Sequence, residues 1–364
     1  MKVVVGMSGG VDSAVSALLL KEQGYDVIGL FMKNWDSNIN GDAEGITEDI
    51  CPQEQDYKDA KNVCDSIGIP LYRVDFIEEY WDNVFKYFLD ELKKGRTPNP
   101  DVMCNKYIKF DAFIKEARKL GADKIATGHY ARIVGNKLLR GLDNNNDQTY
   151  FLCKLSPNQL KDVMFPIGDL TKPEVRKIAE ENNLIVKDKK DSTGICFIGE
   201  RNYQRFIANY LKPNPGNIVN VTTKEVIGTH NGLMNYTIGQ RRNVGLSGDK
   251  EKHYVCGKDV PTNTLYVAFG EDNEYLMSNE ALIEDVSFIG AARPAFATVK
   301  FRYRGEDIPV EIEYLENNEI VVRYDSAKSV TPGQVCAIYL GSECLGGGII
   351  KEVRKNGEKL WYLN

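Results

Sequence analysis

Of the eight cysteines in this 364-residue chain, two stand apart from the rest. They occupy positions 51, 64, 104, 153, 196, 256, 336 and 344, and no pair has Cys-x-x-Cys spacing, so neither a zinc ribbon nor a thioredoxin-type dithiol is indicated. Most read as small buried hydrophobes; Cys64 in a helical pattern and Cys153 beside Leu152 suit that role. Cys104, by contrast, closes Thr97-Pro98-Asn99-Pro100-Asp101-Val102-Met103-Cys104, a segment whose two prolines exclude regular structure. Cys196 lies in Asp191-Ser192-Thr193-Gly194-Ile195-Cys196-Phe197, a polar turn running into an apolar stretch. Both are expected in loops, away from helical stripes. They are the candidates for thiol chemistry.

A second chemical feature opens the chain. Val3-Val4-Val5 is β-branched and apolar and reads as a short buried strand. From Ser13 the pattern becomes that of an amphipathic helix closed by Gly24. Between them runs Gly6-Met7-Ser8-Gly9-Gly10-Val11-Asp12-Ser13. Its adjacent glycines let the backbone approach a ligand, its hydroxyls flank them, and the helix behind adds unsatisfied N–H groups and the positive end of its dipole. The loop is built for an anion. It is not a P-loop, because the single Gly-Lys of the chain, Gly257-Lys258, has Lys252 where the first glycine belongs. The dinucleotide pattern Gly-x-Gly-x-x-Gly is missing too. The loop resembles the pyrophosphate loop of ATP pyrophosphatases, which adenylate a carbonyl oxygen and release pyrophosphate; the bland alternative is an ordinary strand-to-helix turn.

The elements that must position these residues follow a regular rhythm. Strands are expected at Val27–Met32, Leu71–Val74 and Ile125–Thr127, with helices at Glu54–Ile67, Phe76–Lys94 and Lys109–Leu120 and a polar, mobile loop from Lys33 to Glu48. Such alternation indicates an α/β fold with a doubly wound parallel sheet, whose ligands sit at the carboxyl ends of the strands. A hairpin is expected around Gly135-Asn136, a capped helix from Thr171 to Asn182, and a helix from Tyr203 to Leu211. Pro213-Asn214-Pro215-Gly216 looks like a boundary. From about residue 276, alternation in Ala297–Arg304, Val310–Tyr314 and Ile320–Tyr324 favours an antiparallel barrel or sandwich. The expected division is a catalytic domain over 1–205, a small central domain over 206–275 and a β-barrel over 276–364.

Composition describes a soluble globular protein: 42% hydrophobic and 27% charged residues, with no apolar run near the ~20 residues of a membrane span. No signal peptide is recognisable, so a cytoplasmic location and reduced cysteines are expected. The net charge of −6 argues mildly against nucleic acid as a partner, yet Lys93-Lys94-Gly95-Arg96, Lys187 to Lys190 and Arg241-Arg242 are local basic clusters.

Taken together, the pyrophosphate loop, Met32-Lys33-Asn34-Trp35, Thr97 to Phe110, Thr127-Gly128-His129-Tyr130-Ala131, Asp147-Gln148, Asp191 to Gly199 and Tyr236 to Arg241 occur in an order that resembles the bacterial tRNA-specific 2-thiouridylases, or tRNA-uridine 2-sulfurtransferases. The matching segments span nearly the whole chain. The resemblance implies replacement of the C2 oxygen of the wobble uridine of tRNA by sulfur, with ATP and Mg2+ and with a cysteine desulfurase or sulfur-relay protein as persulfide donor. It implies that Cys196 carries the persulfide, that Cys104 is the partner thiol closing a transient Cys104–Cys196 disulfide, and that Asp101 is the general acid/base. Gly6 to Ser13, Met32 and Gly128 would bind ATP. Asn99, Pro100, Asp101, Asn146, Asp147, Gln148, Arg302 and Tyr303 would contact the tRNA, although the family usually has Lys where Asn146 stands.

The residues fit that chemistry independently. A uracil C2 oxygen is a poor leaving group unless adenylated, a persulfide is a good nucleophile at neutral pH, and a second thiol frees its sulfur. Residue chemistry supports the cysteine pair without ordering its roles. Three rivals remain at this level: another pyrophosphate-loop synthetase, a non-catalytic RNA-binding protein on a nucleotide fold, and an iron–sulfur enzyme using Cys104, Cys196 and a further ligand.

Overall fold

The computed structural model describes residues 1–36, 39–40, 52–191, 196, 203–246 and 252–363. Most of the expected Lys33–Glu48 loop, Cys51, and all of Asp191–Gly199 except Asp191 and Cys196 lie outside the described residues.

Five parallel strands form the first sheet: β1 (Lys2–Met7), β2 (Asp26–Lys33), β3 (Leu71–Asp75), β4 (Lys124–Ala126) and, after a β5 (Ala131–Val134)–β6 (Lys137–Arg140) hairpin, β7 (Val163–Met164). Their order is β3-β2-β1-β4-β7. Alternate residues of the inner strands enter separate cores. Val3, Val5, Met7, Val27 and Phe31 pack with the helix Val11–Glu22 on one face, while Val4, Ile28, Leu30 and Met32 pack with Cys104, Ile108 and Phe113 on the other. A sheet covered on both faces explains why its strands read as continuous apolar runs. The chain progresses outward from β1 in both directions, so the crevice between β1 and β4 is the topological switch point where ligands bind.

The expected helices form at Pro52–Ile67 and Lys172–Glu181, with the Glu174 carboxylate accepting from both the N–H and the hydroxyl of Thr171 at 2.7 Å. Phe76–Lys94 resolves into three abutting pieces, Ile77–Tyr80, a π-helical Trp81–Phe85 and Lys86–Lys93. A first expectation is overturned here. The proline segment is not irregular: Pro100–Cys104 is helical. Asn99 is extended (φ −112°, ψ 95°), its side chain accepts the Val102 N–H at 3.3 Å, and Pro100 occupies the first helical position, where a missing N–H costs nothing. Cys104 is therefore a helical residue.

The central domain holds β8 (Gly216–Asn220), β9 (Val226–His230), β10 (His253–Asp259) and β11 (Thr264–Phe269) in the order β10-β11-β8-β9 around Ile218, Val255, Leu265 and Val267. Beyond it, β12 (Met277–Phe288), β13 (Phe296–Lys300), β14 (Ile308–Tyr314), β15 (Ile320–Lys328), β16 (Val335–Leu340) and β17 (Glu343–Lys355) pair antiparallel as β12-β15-β14-β13-β16-β17, and β17 returns to β12 to close a six-stranded barrel. A short β18 (Glu358–Lys359) pairs with β17. Strand β13 ends at Lys300, so Arg302 and Tyr303 stand in the turn beyond it and not in a strand to Arg304. The β5–β6 hairpin of the first domain joins the barrel sheet through β6 and β17, with Leu138 opposite Cys344 and Leu139 opposite Glu343. No helix among the described residues is long and apolar enough to cross a membrane.

Candidate active site

The glycine loop sits at the carboxyl end of β1, and its shape follows from its residues. Ser13 Oγ receives the Ser8 N–H at 3.2 Å and donates to the Gly10 carbonyl at 3.1 Å; the Ser8 and Ser13 hydroxyls are 3.0 Å apart. Gly9 has φ +74°, and a Cβ there would come within 2.3 Å of the Asp56 carbonyl oxygen, so only glycine fits. Gly10 is the helix N-cap with no side-chain cap among the described residues, which leaves first-turn N–H groups to an incoming anion. Gly128, just beyond β4, is equally confined: a Cβ would lie 2.7 Å from the Asp12 carbonyl carbon and 2.8 Å from the Ser13 nitrogen. Gly6 leaves room between Met32 and Phe113, 3.7 and 3.5 Å from where its Cβ would be. Met7, Val11 and Met32 are buried core residues. This cradle of backbone donors, too tight for side chains, suits a nucleotide phosphate.

Two cations that sequence reasoning did not assign flank the loop. Lys172 Nζ bonds both Asp12 oxygens at 2.9 Å, and the Tyr130 hydroxyl donates to the same carboxylate at 2.9 Å. Lys189 Nζ donates to the Gly9 carbonyl at 3.0 Å, to Asp56 at 2.8 Å and to Asp59 at 2.5 Å. The sequence signal for Lys189 was its basic cluster; Lys172 sits in a capping box, where charge is unremarkable by pattern alone.

The two cysteines meet. Cys104 Sγ and Cys196 Sγ are 4.0 Å apart, Cys104 fully buried and Cys196 partly exposed. Asp101, one helical turn before Cys104, accepts the Cys196 backbone N–H at 3.0 Å, and the buried Tyr80 hydroxyl donates to the Cys196 carbonyl at 2.9 Å. The peptide of Cys196 is thus clamped on both sides. Burial raises the Asp101 carboxyl, opposed by that N–H and by the charge of Lys109, so it is suited to hold a proton.

Lys109 completes the constellation. Five residues after Cys104, it would point elsewhere on an α-helix; the run Asn105–Ala112 is π-helical, and a turn closed at i to i+5 brings it back to the face of Cys104. Its charge acts on the Cys196 sulfur and favours the thiolate. The Cys104 S–H bond lowers the Cys196 thiol, and Lys109 adds to it, whereas burial pushes Cys104 up, helped by its bond to Cys196. Cys196 is the thiol poised to ionise.

The turn Thr127-Gly128-His129 links the two halves. Gly128 touches Asp12 and Ser13; the His129 ring lies 5.7 Å from that of Phe110, and its Nδ1 is 2.8 Å from the Thr127 hydroxyl. Burial and the nearby Lys109 hold His129 neutral.

The remaining sequence-assigned residues fall into three situations. Asn99 and Pro100 begin the helix of Cys104. Asp147 is buried and its carboxylate accepts from the Gly141 N–H and from the N–H and hydroxyl of Thr149; Gln148 accepts the Tyr130 N–H, and Asn146 donates to Asp143. Arg302 Nη2 donates to the carbonyls of Ile238 (2.6 Å) and Ser329 (2.9 Å) and to the Thr331 hydroxyl (3.0 Å), while the half-buried Tyr303 ring lies 4.4 Å from Phe151. Among the described residues no group of three or more His, Cys, Asp or Glu is arranged to hold a metal ion.

A parallel α/β domain with an anion loop at its switch point, followed by a small β domain and a closed barrel, is the architecture of a three-part family of domains. Residues 1–200 match the tRNA methyl transferase HUP domain, 204–269 the tRNA methyl transferase PRC-barrel domain, and 278–350 the aminomethyltransferase beta-barrel domain. The chain is 54% identical to the tRNA-specific 2-thiouridylase MnmA of Mycoplasmopsis synoviae, over 99% of this chain and 98% of that protein. It is 54% identical to that of Geobacillus thermodenitrificans over 100% and 98%, and 52% identical to that of Mesoplasma florum over 96% and 98%. The chain belongs to the tRNA-specific 2-thiouridylase family.

Proposed function

We propose that this protein is an ATP-dependent tRNA sulfurtransferase that replaces the C2 oxygen of the wobble uridine, position 34, by sulfur. ATP, with Mg2+ as its counter-ion, adenylates the C2 oxygen at the glycine loop and releases pyrophosphate. The outer sulfur of a Cys196 persulfide then attacks C2, AMP leaves, and the base is held to Cys196 through a disulfide. Cys104 attacks the Cys196 sulfur, the Cys104–Cys196 disulfide closes and 2-thiouridine departs; an external dithiol then reduces the pair. Asp101 is the general acid/base that takes the N3 proton as the C2 oxygen is adenylated and returns it on product release, and the charge of Lys109 favours the Cys196 thiolate.

The carrying observation is the unequal thiol pair: one cysteine partly exposed with its thiol eased toward the thiolate, the other fully buried with its sulfur 4.0 Å away. That asymmetry suits Cys196 to receive sulfur from a cysteine desulfurase or relay protein and Cys104 to resolve. Asn99, Asp147, Gln148, Arg302 and Tyr303 are assigned to tRNA contact, directly or by shaping the loops that touch it, and the target base is splayed from its stack toward Cys196. The site of action is the cytoplasm.

Sulfur transfer in vitro tests the assignment. Purified protein, ATP-Mg, a persulfide donor and unmodified tRNA should yield 2-thiouridine on digestion of the RNA, and Cys196→Ala and Cys104→Ala should yield none. Thiolation persisting in both variants would keep the substrate and discard the mechanism. AMP released onto another acceptor, with no thiolated tRNA, would discard the substrate.

A further inference from the structure

Where the three domains meet, the structure forms a half-open pocket of about 140 Å³. Each domain brings cations to it: Lys94 and Arg96 from the catalytic domain, Lys258 from β10, and Lys351 and Lys359 from the barrel end. Four of the five have carboxylate partners. Lys94 pairs with Glu91 at 2.7 Å, Arg96 with Glu284 at 2.7 Å, Lys351 with Glu319 at 2.6 Å and Lys359 with Glu352, the acidic residue of the cavity wall, at 3.6 Å.

Lys258 is the exception. It is 3% exposed, and its Nζ is buried without a hydrogen-bond partner. A buried amine with no partner is costly, and each such group in a native structure calls for a ligand or a reason. A second orphan lines the same cavity. The Thr97 N–H donates to the Pro332 carbonyl at 2.9 Å and its carbonyl accepts from Gln334 at 2.7 Å, but its hydroxyl is buried and unbonded. Gly333 keeps the barrel this close to the catalytic domain: a Cβ there would lie 2.9 Å from the Thr97 nitrogen. Two unused donors from different domains therefore share one cationic pocket.

We propose that this three-domain junction binds a phosphate group, held by the Lys258 ammonium and the Thr97 hydroxyl. A phosphate has enough oxygens to meet donors arriving from separate directions, and its charge matches the surplus cation. Burial lowers the Lys258 ammonium to about 7, so an anion arriving there also restores its charge. The group comes either from the backbone of bound RNA or from a free phosphate. Because Thr97 lies two residues before the Asn99 cap of the Cys104 helix, occupancy would brace the segment that carries Cys104 against the other two domains.

Inorganic phosphate titrated into the full-length protein, read by calorimetry and thermal shift, tests the proposal. Wild type should bind and be stabilised, Lys258→Met should bind about tenfold or more weakly, Lys258→Arg should retain binding, and Thr97→Val, nearly isosteric, should lose part of it. Unmodified tRNA measured across a salt series separates the sources. If the RNA backbone supplies the group, Lys258→Met lowers the salt slope by about one and free phosphate competes with tRNA. If a free anion is the ligand, Lys258→Met loses phosphate while its tRNA affinity is unchanged. Equal phosphate binding by wild type, Lys258→Met and Thr97→Val, or none by wild type, overturns the proposal.

Discussion

The charge of Lys109 acts on the Cys196 sulfur from the helix that begins at Pro100 and widens into a π-helical run between Asn105 and Ala112. Removing that charge withdraws part of what stabilises the thiolate. Lys109→Met should raise the Cys196 pKa and slow its alkylation about tenfold at neutral pH. The sign is that of a depressed acid: the rate gained below the ordinary thiol range disappears, and the two proteins converge once pH exceeds both pKa values. Lys109→Arg should stay close to wild type. Rates of iodoacetamide capture at Cys196 against pH, followed by mass spectrometry, would check this; superimposable profiles would remove Lys109 from the chemistry.

The roles of the two thiols separate if the second is removed after the first has acted. In Cys104→Ser, the nucleophile that releases the product is gone while Cys196 and its clamp to Asp101 and Tyr80 remain. With ATP, a persulfide donor and tRNA, this variant should accumulate RNA joined to protein by a disulfide, visible on a non-reducing denaturing gel and discharged by dithiothreitol. Cys196→Ser should give no such band. A band in the second variant and not the first would reverse the assigned roles.

The doubly wound sheet is legible in the sequence because Val3-Val4-Val5 and Val27–Met32 are buried on both faces and alternate with helices, as parallel strands in a covered sheet do. The glycine loop is legible because its constraints are local: a positive φ at Gly9 and a helix start at Gly10. The helix at Pro100–Cys104 escapes, since the prolines that suggest a break in fact start it. Lys109 escapes for another reason. Helical-face arithmetic assumes 3.6 residues per turn, and nothing in Asn105–Ala112 announces a π turn. Lys172 and the docking of the β5–β6 hairpin on β17 depend on contacts between segments distant in sequence, which no local pattern encodes.

The nucleotide cradle should be sensitive to a single methyl group. Gly128→Ala places a Cβ against the backbone of Asp12 and Ser13, atoms that belong to the helix start and cannot swing aside as a flexible side chain could. Overpacking of this kind costs about 1–3 kcal/mol, so kcat/KM for ATP should fall by roughly ten- to a hundredfold. Capture of Cys196 by iodoacetamide should be unchanged, because the thiol pair is built on other elements. A loss in both measurements would mean that the sheet edge as a whole had collapsed.

Arg302 and Tyr303 are adjacent, yet substitution should expose different jobs. Arg302 ties the central domain, at the Ile238 carbonyl, to the barrel, at Ser329 and Thr331. Arg302→Ala leaves the Ile238 carbonyl without the guanidinium, at about 1–3 kcal/mol, while the Ser329 carbonyl keeps its bond from the Thr331 hydroxyl, and the melting temperature should drop by a few degrees. Its effect on tRNA then follows indirectly, through the angle between the two domains. Tyr303 lies in the turn beyond β13, half-buried, with its ring 4.4 Å from that of Phe151 and 6.3 Å from that of Tyr150. If it stacks on a base, Tyr303→Leu should weaken tRNA by about 1–3 kcal/mol, and Tyr303→Phe should restore most of that. The Leu variant should melt near wild type. Filter binding and thermal unfolding on the same three variants distinguish the two cases; tRNA affinity unchanged in Tyr303→Leu would leave the tyrosine as packing for Phe151.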